Sequence, residues 1–176
     1  MNRKQHILIC GEVGVGKSTL IQRLLAHDTR PLYGFITKKL TPDENGFHPI
    51  YIHPAAAQER RFEPENLIGT CDRRIHNINL DAFNTLGVAY LQAKPGGLIL
   101  MDELGFMEAK AEAFTRAVMQ ALDGDIPVIA AVKSRTDVPF LNELRAHPNC
   151  KVCWITPENR DELYEQLLGG MQEKNK

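Results

Sequence analysis

Residues 6–20 read His-Ile-Leu-Ile-Cys-Gly-Glu-Val-Gly-Val-Gly-Lys-Ser-Thr-Leu. Within them, Gly11-Glu12-Val13-Gly14-Val15-Gly16-Lys17-Ser18 fits G-x-x-x-x-G-K-[ST], the phosphate-binding P-loop. The four fixed positions would arise by chance in a chain of this length only about once in a hundred. The motif requires a strand before it and a helix after it. The apolar run 6–10 predicts a buried strand, and Leu20, Ile21, Leu24 and Leu25 recur at helical spacing. The glycines allow backbone conformations and close approaches denied to other residues. The set expected to bind nucleotide is Gly11, Glu12, Val13, Gly14, Val15, Gly16, Lys17, Ser18 and Thr19, whose N–H groups form an anion nest at the positive end of the following helix. Lys17 is expected to reach the β- and γ-phosphates, and the Ser18 hydroxyl to bind Mg²⁺.

A second stretch answers to the first. Leu98-Ile99-Leu100-Met101 is a continuous apolar run, as in a parallel strand buried on both faces, and it ends in Asp102-Glu103. An apolar strand ending in an acid is the Walker B pattern. In open α/β sheets, ligands bind beyond the carboxyl ends of the strands, which would bring Asp102 to face the loop and help hold Mg²⁺. Glu103, the adjacent carboxylate, suits a residue that orients or deprotonates an attacking water. Lys17, Asp102 and Glu103 are therefore the candidate catalytic residues, and Ser18 and Asp102 the candidate metal ligands.

Strands and helices alternate along the rest of the chain, which implies parallel strands joined by crossover helices. Strands are predicted at 32–37, 47–52, 98–101, 126–132 and 152–155, with helices at 108–122, 138–146 and 156–168. The turn-forming run Thr41-Pro42-Asp43-Glu44-Asn45-Gly46 predicts one β-hairpin between the second and third strands. Asp81 is placed to cap a helix carrying Phe83, Leu86, Tyr90 and Leu91. Thr156 is placed to cap the last helix, with Pro157 at its first position and Gly169-Gly170 at its end. Residues 54–74 show no clean periodicity and read as a long loop, functional or holding short elements.

With 176 residues, a single domain spanning 1–176 is expected. The net charge of −1 carries no basic excess toward nucleic acid or anionic lipid. No apolar run approaches the ~20 residues of a membrane span, and the first strand is too short for a signal peptide, so the cytoplasm is the expected compartment. The expected partner is a nucleoside triphosphate, and a protein partner is left open. Of the four cysteines, Cys150 and Cys153 have the spacing of half a zinc site, but the other half is missing. Three residues apart on a strand, they face opposite sides and read as small core residues.

These stretches together resemble the small P-loop nucleoside-triphosphatases of the cancer-related nucleoside-triphosphatase type. Gly34-Phe35-Ile36-Thr37 resembles that family's G-F-Y-T strand, Asp102-Glu103-Leu104-Gly105 with Met107-Glu108 its D-E-I-G-x-M-E pattern, and Thr156-Pro157-Glu158-Asn159-Arg160-Asp161 its closing helix start. The resemblance implies a RecA-like α/β P-loop NTPase fold, a mostly parallel sheet with flanking helices, and slow Mg²⁺-dependent hydrolysis of several nucleoside triphosphates to diphosphates. It supports Glu103 as the catalytic carboxylate and makes Asn159 and Arg160 candidates for the nucleotide end of the site. Two departures stand out. Phe106 occupies the position where the family commonly has Lys, and 72–77 lacks the glycine and tyrosine of its R-x-G-x-Y stretch. Arg73 and Arg74 remain candidates for a cationic finger or for solvated loop charges. Two other readings stay open: a small nucleoside or nucleotide kinase, disfavoured by the sparse arginines of 108–150, and a nucleotide-dependent accessory protein acting on a partner.

Overall fold

The computed structural model describes residues 5–174. Along the chain run β1 (His6–Gly11), α1 (Lys17–Leu25), β2 (Leu32–Lys39), β3 (His48–Pro54), β4 (Leu67–Cys71), β5 (Ile75–His76), α2 (Leu80–Ala82), α3 (Val88–Tyr90), β6 (Leu98–Leu104), α4 (Glu112–Asp123), β7 (Val128–Lys133), α5 (Pro139–Ala146), β8 (Cys150–Trp154) and α6 (Arg160–Lys174). The strands form one eight-stranded sheet in the order β5-β4-β3-β2-β6-β7-β1-β8. From β2 to β8 across that order every pairing is parallel. The carboxyl ends of β6, β7 and β1 therefore lie side by side, with β7 between the strand that feeds the P-loop and the strand that ends in the acids.

The sheet buries both faces, and side chains alternate between them with the period of two that a strand imposes. On β1, Leu8 and Cys10 join one core while Ile9 joins the other. The second core is closed by Leu20, Ile21 and Leu24 of α1 and by Tyr164, Leu167 and Met171 of α6. The first is closed by Phe114, Val118 and Leu122 of α4 and by Leu141 and Leu144 of α5. Phe114 is its keystone, packing against Phe35 at 5.4 Å and Phe83 at 5.3 Å between ring centroids. All four cysteines are buried thiols, and Cys150 and Cys153 fall into opposite cores as the strand period requires.

Several local expectations are corrected. The predicted single hairpin is the start of an antiparallel extension in which β3, β4 and β5 follow β2. The stretch read as a long loop holds a short 3₁₀ turn, Pro64–Asn66, and then β4. Asn79, not Asp81, caps the middle helix, its side chain accepting from the Ala82 N–H at 3.1 Å. That helix passes through a π turn, Phe83–Gly87, between α2 and α3. Helix α4 begins at Glu112 rather than 108. Helix α6 begins at Arg160, after a turn in which Thr156 Oγ1 accepts from Asn159 N–H at 3.3 Å and Asn159 Oδ1 accepts from Thr156 N–H at 2.8 Å. It also continues through Gly169-Gly170 to Lys174, because buried Met171 anchors the extra turn to the second core and outweighs the poor helix propensity of glycine. Among the described residues, no helix is long and apolar enough to cross a membrane.

Truncating Phe114 to Ala removes a fully buried ring shared by α4, β2 and the π turn. Chemical denaturation of Phe114→Ala is expected to show a loss of about 3–5 kcal/mol. A loss below about 1 kcal/mol would contradict this packing.

Candidate active site

The glycine loop joins β1 to α1. Gly14 and Gly16 take φ of 77° and 105°, the left-handed region that glycine adopts without side-chain strain. Val15 is buried in the second core and fixes the loop to the sheet, while Val13 is 81% exposed at its tip. Glu12 turns its side chain to solvent and contributes its carbonyl instead.

Lys17 is 5% exposed. Its ammonium donates to the carbonyls of Gly11 and Glu12, each at 2.9 Å, and lies 3.1 Å from Glu103 Oε2. The Ser18 hydroxyl donates to Asp102 Oδ1 at 2.9 Å. Two neighbouring strand residues ordinarily point to opposite faces. Here Asp102 pairs with Ala131 and Leu104 with Val132, so the register shifts and Glu103 is left without a partner in the β6–β7 ladder. At this irregularity both carboxylates meet the loop. The structure thus brings together Lys17, Ser18, Asp102 and Glu103, as the sequence suggested.

These residues line a cleft of about 500 Å³, together with Thr37, Lys39, Phe83, Phe106, Glu108 and Lys133. Burial pushes the Asp102 carboxyl up, partly opposed by the Ser18 hydrogen bond and reinforced by the nearby Glu103 charge. Ser18 and Asp102 offer two hard oxygen donors at adjacent positions. This suits Mg²⁺, which takes one or two protein ligands and completes its octahedron with phosphate oxygens and water. Among the described residues, no cluster of three or more His, Cys, Asp or Glu is placed to hold a metal without such help.

The other candidates separate. Arg160 lines a smaller cleft of about 290 Å³ on the β8 side of the loop, with Gly16, Thr19, Arg23 and Asp161. Asn159 spends its amide on the turn before α6, donating to Trp154 O at 2.9 Å and accepting from Thr156 N–H. Arg73 and Arg74 line a neighbouring cleft of about 440 Å³ together with Phe106, Lys133 and Arg135.

Two residues escaped the sequence reading. Glu108 is 3% exposed, accepts a hydrogen bond from the Gly105 N–H, and is pushed up to about 7 by burial. Its place inside the D-E-x-G-x-M-E pattern was the only signal for it. Lys133 ends β7, with its ammonium 3.7 Å from Glu103 Oε1.

A glycine nest and paired acids at the carboxyl edge of a parallel sheet define a class, the P-loop nucleoside-triphosphate-binding proteins. Comparison with known proteins narrows it. The family model described as NTPase matches residues 6–168, and the chain belongs to that family. It is 30% identical over 176 residues to the nucleoside-triphosphatase THEP1 of Aquifex aeolicus, covering 92% of this chain and 96% of that one. It is 28% identical over 192 residues to the cancer-related nucleoside-triphosphatase homolog of Bos taurus, covering 98% and 99%. The crystal structure of THEP1 from Aquifex aeolicus matches with a TM-score of 0.73 and 26% identity, covering 93% of this chain and 97% of that one. The P-loop NTPase fold expected from the sequence is thus the fold observed.

Glu108 gives the site a pH signature. Its folded-state value, about 7, lies above its ordinary 4.5, so its contribution to stability is full below about 4.5 and is lost as pH rises through about 7. Glu108→Gln removes that titration. Thermal melts at pH 5 and pH 8 should show the variant gaining on the unmodified protein at the higher pH. An equal difference at both would contradict a buried, neutral-preferring carboxyl.

Proposed function

We propose that this chain hydrolyses nucleoside triphosphates to diphosphates and inorganic phosphate, with Mg²⁺ as cofactor. The observation that carries the proposal is the register shift at Glu103. It leaves Asp102 on the Ser18 hydroxyl and Glu103 on the Lys17 ammonium, so a metal-holding acid and a water-orienting acid share one face of the loop.

The loop N–H groups and Lys17 bind the β- and γ-phosphates and take up charge that develops on them. Ser18, with Asp102, would hold Mg²⁺, which when bound would supply charge neutralisation to the phosphates. Glu103 accepts a hydrogen bond from a water in line with the γ-phosphorus and takes its proton. The water oxygen bonds to phosphorus, the bridging P–O bond breaks, and the electron pair leaves with the diphosphate. Arg160, which lines the smaller cleft beside Gly16 and Thr19, would meet the nucleoside end. With the Asn159 amide committed to its turn, the reading favours activity on several bases, ATP and GTP among them.

Phosphate release from ATP, GTP, CTP and UTP tests the reading. It should require Mg²⁺, stop with a chelator and resume when Mg²⁺ is restored. Glu103→Gln should lower kcat about 10²-fold or more, as loss of a general base does. Lys17→Ala should lower kcat/KM by at least a comparable factor. Unchanged turnover in both variants would overturn the mechanism.

A further inference from the structure

The strand between the P-loop strand and the acid strand ends in a lysine. Lys133 is the last residue of β7 and pairs with Gly11 in the β1–β7 ladder. Its carbonyl accepts from Arg145 Nη1 at 2.9 Å, so its backbone is fixed at the mouth of the cleft from both sides. The side chain then takes a defined course. A Cβ on Gly105 would lie 3.1 Å from Lys133 Cδ and 3.3 Å from Cε, so the missing side chain at 105 is what lets the lysine stem pass. The Phe106 ring flanks the stem, its centroid 5.9 Å from the Lys133 ammonium. At the end of this path the ammonium lies 3.7 Å from Glu103 Oε1.

Glu103 thus spans two lysines, with Lys17 on Oε2 and Lys133 on Oε1. They are not equivalent. Lys17 rises from the loop itself, and a triphosphate seated there competes for its ammonium. The same phosphates repel the Glu103 carboxylate, which must nevertheless stay close enough to orient a water. A second cation that belongs to the sheet rather than to the loop meets that need.

We infer that Lys133 is the positioning residue that holds the Glu103 carboxylate over the γ-phosphate site when Lys17 engages the nucleotide. The inference rests on the hydrolase reading above and adds a residue to it. Phe106 lines the same cleft, its ring centroid 5.9 Å from the Lys133 ammonium and 4.7 Å from the Arg135 guanidinium. A lysine placed at position 106 would therefore bring a positive charge to the same corner from another segment of the chain.

The test is steady-state hydrolysis of Mg-ATP by the unmodified protein, Lys133→Met, and the double variant Lys133→Met with Phe106→Lys. Lys133→Met should lower kcat about 10- to 100-fold while KM changes less than about threefold, the signature of an interaction needed in the transition state. The double variant should recover at least about tenfold of the lost kcat, because the charge returns from the segment that follows β6. A kcat for Lys133→Met within about threefold of the unmodified protein overturns the inference and leaves the hydrolase reading intact. A loss that Phe106→Lys does not recover also overturns it, since the role of Lys133 would then be packing. If the unmodified chain releases no phosphate, the hydrolase reading falls and this inference with it. Should Lys133→Met fail to fold, Lys133→Gln serves in the same comparison.

Discussion

A buried ammonium must be met on every side, and Lys17 is met by the two carbonyls that precede the nest and by Glu103. Each partner demands something of the fold. The carbonyls of Gly11 and Glu12 face the lysine only because the loop doubles back through left-handed Gly14 and Gly16. Glu103 reaches it where the register of β6 shifts against β7. The parallel order β6-β7-β1 sets the span the two sides must cross. The two apolar cores hold that order in place, and the cleft forms where the strands end.

Charge within the cleft explains why a metal fits there. Asp102, Glu103 and Glu108 supply three carboxyls, and Lys17, Lys39 and Lys133 three ammoniums, so the balance turns on where each charge sits. Glu108 is eased by its shift to about 7, which keeps a large share of it neutral near physiological pH. Among the described residues Asp102 forms no ion pair with a lysine, although the Lys17 charge acts on it from a distance. Burial raises it, and only the Ser18 hydroxyl bonds its Oδ1. A divalent cation at Ser18 and Asp102 would both settle that carboxylate and allow a highly charged triphosphate to approach two further acids.

The parts of this arrangement that the sequence revealed are those written in consecutive residues. β1, the nest and α1 announce themselves because apolar run, glycines and helical period follow one another without interruption. Asp102-Glu103 is legible because the run before it is unbroken. Residues 67–76 are not, because β4 and β5 are short and gain their strand character from pairing with β3 and with each other. Gly169-Gly170 misleads for the opposite reason: burial of Met171 decides there, and no local propensity reports it. Lys133 was invisible in kind. Its meaning comes from Gly11, Gly105 and Glu103, which lie on other strands and become its neighbours only through the sheet. Asn159 is the reverse case, a polar residue in a promising place whose amide also bonds its own turn, which the sequence does not report.

The central claim is that water, oriented by Glu103, attacks the γ-phosphorus of a triphosphate held by the loop. Hydrolysis of ATP in ¹⁸O-labelled water, with the products resolved by mass spectrometry, tests it most directly. The account predicts one solvent oxygen in the inorganic phosphate and none in ADP. Label in the nucleotide product, or phosphate released without solvent oxygen, would contradict it.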